Sequence, residues 1–276
     1  MFTTLMTPAT LAAHIGDPDW VLLDCRFDLT NPETGAALYA VGHLPGARYV
    51  HLDHDLSGTK TGTNGRHPLP TVDEMAARFG GLGIGPGVQV VLYDGDIGMY
   101  AARAWWMLRY LGHEAVAVLD GGYARWVAEG HAVTTEVPAT TARVFHPAPR
   151  ADWRLSASDV QAGVEGVLVD ARSPERFRGM NETLDPVGGH IPGACNYFFQ
   201  QNLTAEKTFK SPEELRTQWT ALLGDRPASE VVMYCGSGVT ACHNLLALEV
   251  AGLSGARIYP GSWSEWCADR SRPVEV

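Results

Sequence analysis

The sequence predicts an α/β fold built as two tandem copies, each a parallel sheet flanked by helices. Three observations point there. Several short phrases occur twice in the same order along the 276 residues. Within each half, short apolar strand candidates alternate with helical patterns, which favours a parallel sheet covered on both faces. A proline-rich stretch without apolar periodicity separates the halves.

The repeats are specific in order as well as in content. Val21-Leu22-Leu23-Asp24-Cys25-Arg26 returns as Val167-Leu168-Val169-Asp170-Ala171-Arg172, and Gly42-His43-Leu44-Pro45-Gly46-Ala47 returns as Gly189-His190-Ile191-Pro192-Gly193-Ala194. Val90-Val91-Leu92-Tyr93-Asp94-Gly95 returns as Val231-Val232-Met233-Tyr234-Cys235-Gly236, and Gly121-Gly122-Tyr123-Ala124-Arg125-Trp126 is echoed by Gly261-Ser262-Trp263-Ser264-Glu265-Trp266. A nearly constant separation of about 140 to 147 residues holds throughout, so the chain is a tandem duplication.

In the first copy the strand candidates are Trp20–Asp24, Val88–Tyr93 and Ala115–Leu119, with helices near Thr71–Phe79 and Met99–Leu111. In the second they are Gly166–Asp170, Glu230–Tyr234 and Ala256–Tyr259, with helices near Ser211–Leu223 and Thr240–Ala251. The stretch containing Pro138, Pro147 and Pro149 reads as a linker. The expected organisation is a domain over residues 1–135, a linker over 136–152 and a second domain over 153–276.

Composition narrows the function classes. A net charge of −10 argues against a nucleic-acid partner, because such binding rests on Lys and Arg at phosphates. An anionic substrate would need local arginines that reverse this field. No run of 18 apolar residues occurs and the amino terminus lacks the pattern of a signal peptide, so a soluble, cytoplasmic chain is expected, with no membrane partner. Five scattered cysteines without a CxxC pair argue against a disulfide framework and a structural zinc site, and read as reduced thiols. No dinucleotide or Walker phosphate loop is present, and the sequence gives no cofactor or metal.

The chemistry concentrates at Cys235, which follows an apolar strand and opens the small-residue loop Gly236-Ser237-Gly238-Val239-Thr240 before a helix. Ligands of open parallel sheets sit at the carboxyl ends of the strands. There, loop N–H groups and the positive end of the helix dipole stabilise negative charge on sulfur. Glycines suit a loop that wraps one atom closely. Asp94 takes this place in the first copy; a carboxylate cannot accept sulfane sulfur, so that copy is expected to be catalytically silent.

With these residues in view, the chain resembles the two-domain sulfurtransferases of the rhodanese superfamily over essentially its whole length. The carrying phrases are the two Asp-x-Arg pairs, the two Gly-His-[Leu/Ile]-Pro-Gly-Ala turns, the loop from Cys235 to Thr240 and Gly261-Ser-Trp-Ser-Glu-Trp266. The Cys-Gly-Ser-Gly-Val-Thr loop is similar to that of 3-mercaptopyruvate sulfurtransferases, whereas thiosulfate enzymes often carry basic residues after the cysteine. The resemblance implies that Cys235 takes sulfur from a small anionic donor as a persulfide and passes it to cyanide or a thiol such as thioredoxin. Thiosulfate is the alternative donor. Loop N–H groups of Gly236, Ser237, Gly238, Val239 and Thr240 would hold the persulfide.

Further roles follow from the same resemblance. Arg176 matches the family arginine that binds the anionic end of the donor, as a forked guanidinium suits; Arg178 is a second candidate. Mercaptopyruvate enzymes usually carry another arginine shortly before the Gly-His-Ile-Pro-Gly turn, where this chain reads Glu182-Thr183-Leu184-Asp185-Pro186-Val187-Gly188. Ser237, His67 and Asp53 match a serine, histidine and aspartate relay able to deliver a proton to the leaving group. The alternative is that these three only hydrogen-bond.

Other residues read as structural. His43 and His190 recur in both copies, as do Asp24/Arg26 and Asp170/Arg172, so they specify fold. Trp105 and Trp106 read as core and Cys242 as packed. A cysteine phosphatase is the competing enzyme class, disfavoured because the loop has no arginine; a sulfur-relay or interaction module is the non-catalytic alternative, disfavoured by Cys235. The chain is taken as a monomer.

Overall fold

The structure, a computed structural model, describes residues 1–276. It contains two compact units. The first comprises Met1–Gly58, Pro70–Arg150 and Ala205–Phe209; the second comprises Thr59–Leu69, Ala151–Thr204 and Lys210–Val276.

In the first unit, strands β1 (Leu5–Met6), β2 (Trp20–Asp24), β3 (Ala47–Tyr49), β4 (Gln89–Tyr93) and β5 (Val116–Leu119) form one sheet in the order β1-β5-β4-β2-β3. Every pairing is parallel. Its helices are α1 (Pro8–Ala12), α2 (Thr34–Val41), α3 (Val72–Gly81), α4 (Met99–Tyr110) and α5 (Gly122–Ala128). The strands at the centre are apolar at nearly every position because both faces are covered: Val90, Val91, Leu92 and Tyr93 are all buried. On α4, Trp105 and Trp106 are core, and the Trp105 indole N–H donates to the Thr3 carbonyl at 2.8 Å.

The second unit repeats the plan with β6 (Val167–Asp170), β7 (Cys195–Asn196), β8 (Val231–Tyr234) and β9 (Arg257–Ile258), paired in parallel in the order β7-β6-β8-β9. Its helices are α6 (Ala157–Ala162), α7 (Pro174–Phe177), α8 (Pro212–Leu223), α9 (Thr240–Val250) and α10 (Ser262–Trp266). Three helices start on capping boxes, Thr71/Glu74, Ser156/Asp159 and Ser211/Glu214, each satisfying orphan N–H groups of the first turn. On α8, Pro212 at the first turn and the buried stripe Leu215, Trp219 and Leu223 fix both start and inward face.

The phrases that recur in both copies form one buried network in each. Arg26 forks onto the Asp24 carboxylate and donates from Nη2 to the Gly42 carbonyl at 2.7 Å; Arg172 does the same with Asp170 and with Gly189, at 2.6 Å. The Tyr93 hydroxyl donates to Asp24 and accepts the Leu44 N–H, and Tyr234 likewise accepts the Ile191 N–H. The Asp-x-Arg pair thus ties the end of an inner strand to the Gly-His-x-Pro turn. That turn is in turn bridged to the segment leaving each copy, His43 to Thr134 and His190 to Glu275. The closing tryptophans match as well, with Trp126 donating to Ala132 O and Trp266 to Pro273 O, both at 2.8 Å.

The stretch read as a linker has no regular structure up to Arg150, yet it is bonded to the first unit. Arg143, Ala148 and Arg150 donate their N–H groups to the carbonyls of Gly80, Leu111 and Tyr110, and Phe145 is buried beside Phe79. No helix of the chain is long and apolar enough to cross a membrane.

Because Asp24 is wholly buried, removing its partner strands an uncompensated charge. Arg26→Ala is expected to destabilise the protein by about 3–5 kcal/mol, read as a lower urea midpoint with an unchanged slope. An unchanged midpoint would show that the pair does not hold the sheet to the turn.

Candidate active site

Strand β8 ends at Tyr234, helix α9 begins at Thr240, and Cys235 opens the five-residue loop between them. Cys235 is 2% exposed, and its Sγ accepts the N–H of Gly238 at 3.1 Å. Gly238 has φ +75, a left-handed conformation that folds this N–H back toward the start of the loop at no side-chain cost. Below the loop, Cys242 is fully buried and its thiol donates to the Gly238 carbonyl at 3.3 Å, so it is packed into the helix.

The backbone of Cys235 is held from α10. Its N–H donates to Ser262 Oγ at 3.1 Å, and Ser262 passes its own hydroxyl hydrogen to the Tyr259 carbonyl at 3.0 Å. The carbonyls of Cys235 and Gly236 accept the N–H groups of Trp263 and Ser264, each at 2.9 Å. Ser262 adopts φ +55, strained for a residue with a Cβ; its counterpart Gly122 has the same angle without the strain. Sequence comparison of the two copies contains this signal, a serine standing where the first copy has glycine, but its meaning appears only with the hydrogen bond to Cys235.

The first copy shows what this strand end does with charge. Asp94 is buried, and its carboxylate accepts N–H groups from Asp96, Gly98, Tyr100 and Ala101 at 2.8–3.3 Å. Burial pushes its carboxyl up from the usual value, and those hydrogen bonds work in the opposite direction. The strand-to-helix turn therefore converges N–H donors on whatever side chain heads the loop.

On the second unit two guanidiniums reach the Cys235 loop. A Cβ placed on Gly236 would lie 2.9 Å from Arg66 Nη2 and 3.4–3.5 Å from Arg176 Nη1 and Nη2, so the glycine makes room for both. Arg176, at the end of the short helix α7, pairs with Glu182 at 2.9 Å and Asp185 at 3.0 Å. Arg66, on the Thr59–Leu69 segment, pairs with the other Asp185 oxygen at 2.5 Å. For Glu182, burial raises the carboxyl, but the hydrogen bonds from Arg176 and the Leu184 N–H outweigh it and hold it below the usual range. For Asp185 burial wins over the attraction of Arg66 and the carboxyl is raised.

Arg66 was not legible as a site residue, since its segment lies far from Cys235 in sequence and carries no repeat. The segment's glycine does hint at close contact: Gly65, at φ +88, would bring a Cβ within 2.9 Å of the Gly261 carbonyl, and the Arg66 N–H donates to Ser264 Oγ. The same segment places His67, 3% exposed, with Nδ1 2.7 Å from the Ser237 hydroxyl. Asp53 lies in the first unit, after β3, where its N–H donates to His51 Nδ1 at 3.0 Å. Arg178 caps the end of α7, exposed, with Nε donated to the Pro174 carbonyl. Val239, the last loop residue, is buried, and Thr240 is the first residue of α9.

Comparison with known proteins gives the family. The rhodanese-like domain family matches twice, over residues 7–129 and 154–269, and the chain belongs to that family. It is 47% identical to the Pseudomonas aeruginosa protein named "Probable 3-mercaptopyruvate sulfurtransferase", over 98% of this chain and 97% of that one. It is 34% identical to the thiosulfate sulfurtransferase of Bos taurus, over 96% and 90% of the two chains. Among solved structures, SseA from Escherichia coli, described as a 3-mercaptopyruvate sulfotransferase, superposes with a TM-score of 0.81 at 31% identity, covering 96% of this chain and all of that one.

If Ser262 holds the Cys235 backbone, Ser262→Ala leaves a buried N–H unsatisfied while keeping the backbone strain. A loss of about 1–3 kcal/mol is expected, measured as a lowered urea midpoint. A variant as stable as the parent would mean that the hydrogen bond is not structural.

Proposed function

We propose that Cys235 carries sulfane sulfur as a persulfide from 3-mercaptopyruvate to a thiol acceptor, in a chain that is a sulfurtransferase of the rhodanese family. The observation that carries this reading is the placement of Cys235 Sγ under the Gly238 N–H at the end of β8, with the guanidiniums of Arg66 and Arg176 meeting at the adjacent Gly236. The thiolate attacks the single sulfur of mercaptopyruvate; a sulfur–sulfur bond forms, the carbon–sulfur bond breaks, and the electron pair leaves on the enolate of pyruvate. Loop N–H groups from Gly236 to Thr240 stabilise the negative charge on the terminal sulfur. Arg176 and Arg66 take the donor carboxylate, a role that the forked guanidinium fills well.

The enolate needs a proton, and the 2.7 Å contact between Ser237 and His67 supports a route by which the imidazole supplies it through the hydroxyl. Asp53 is proposed as the third member on the strength of the family resemblance. Thiosulfate would release sulfite, which leaves without needing that proton. The long identity with mercaptopyruvate and thiosulfate enzymes alike supports the reaction type, and the serine after Gly236 favours mercaptopyruvate. Thioredoxin or a similar reduced thiol is the proposed acceptor and the cytoplasm the proposed setting, five free cysteines being in keeping with both, and the chain is proposed to work as a monomer.

Two experiments test this. With cyanide or a dithiol as acceptor, turnover of mercaptopyruvate should fall below about one part in a thousand in Cys235→Ser, as for loss of a covalent nucleophile; substantial residual turnover would contradict the mechanism. In His67→Ala or Ser237→Ala, kcat for mercaptopyruvate should drop by roughly 10²-fold or more, with a much smaller loss for thiosulfate. Equal effects on the two donors would remove the proton route.

A further inference from the structure

The arginines beside Cys235 do not present a free positive charge. Glu182 and Asp185 stand against them, both nearly buried at 5% and 3% exposure, and Asp185 bridges the two guanidiniums with one oxygen on each. Arg172 adds nothing to the balance: it is already forked onto Asp170, and its Nη1 lies 3.5 Å from Glu182. The donor end therefore holds two cations and two anions, and its net charge is near zero where the anionic donors of this chemistry must bind. Such a quartet treats donors by their charge. Mercaptopyruvate brings one negative charge, so it can take over guanidinium hydrogen bonds from a carboxylate like for like. Thiosulfate brings two, and each is repelled by two carboxylates held in a poorly hydrated place, where charges interact several times more strongly than in water.

We propose that Glu182 and Asp185 form a charge filter that sets the donor preference, admitting monoanionic sulfur donors and disfavouring dianionic ones. The filter rests on the assignment of Arg66 and Arg176 to the donor's anionic end. Removing one carboxylate charge relieves a dianion twice as much as a monoanion, so both donors bind better and thiosulfate gains more. The same carboxylates also hold the guanidiniums of Arg66 and Arg176 in place.

The test is the ratio of kcat/KM for thiosulfate to that for mercaptopyruvate, measured in the same buffer for the parent chain, Asp185→Asn and Glu182→Gln. Both replacements keep the shape and remove the charge, although each turns one acceptor oxygen into an NH2 donor facing a guanidinium or a backbone N–H; the second guards against loss of folding in the first. The ratio is expected to rise about tenfold in Asp185→Asn and by a smaller factor in Glu182→Gln, carried by the KM for thiosulfate, because a single nearby charge in a partly buried site acts on that scale. The rise should shrink with added salt, as a charge effect does and a purely structural one does not. An unchanged or lowered ratio in variants that still turn over mercaptopyruvate overturns the filter and leaves the sulfurtransferase reading standing. Failure of the parent chain to turn over either donor overturns both.

Discussion

Everything at the site depends on one constraint of the parallel sheet: where an inner strand ends and a helix begins, backbone N–H groups converge with no partner of their own. The chain meets this demand twice with different side chains. In the first unit Asp94 brings its own negative charge and takes four N–H groups, closing the account within the fold. In the second, Cys235 stands there, with the Gly238 N–H on its sulfur. The duplication thus puts two side chains into one geometry, a carboxyl group in the first copy and a cysteine in the second.

Around that turn, the fold spends buried charge to fix position. The Asp-x-Arg pairs, tyrosines and Gly-His-x-Pro turns knit the inner strands to their neighbouring turns in both units, which explains why these phrases recur where no nucleophile is present. The second unit then adds what the first lacks: Ser262 in a strained conformation on the Cys235 N–H, and a segment, Thr59–Leu69, that brings Arg66 and His67 to the loop. The second unit thus elaborates a frame that both copies share.

Much of this was readable in the residues. The six strand candidates and four helices recur within a residue or two of the observed elements, because long apolar or amphipathic runs carry their own period. Strands β1, β3 and β7, with two or three residues each, and the shortest helices are too brief to show one. Cys235 and its glycine loop were legible from the order of strand, loop and helix, and Arg176 from family resemblance. The pairing of Ser237 with His67 was legible only through family resemblance. Arg66 and the carboxylate partners of Arg176 were not, since they depend on a segment and a loop whose positions come from tertiary contacts rather than from local pattern. The departure at Glu182–Gly188 looked like a missing arginine; the structure shows instead two acids that hold Arg176 and a different arginine beside it.

The central claim, that this turn turns a cysteine into a sulfur carrier, is met most directly by a single-turnover measurement. Parent chain in excess over 3-mercaptopyruvate, with no acceptor, should release pyruvate once per donor and leave one added sulfur atom on the peptide containing Cys235, removable by a dithiol. Pyruvate release without that added sulfur, or an added sulfur on Cys25, Cys195, Cys242 or Cys267 in place of Cys235, would contradict the account.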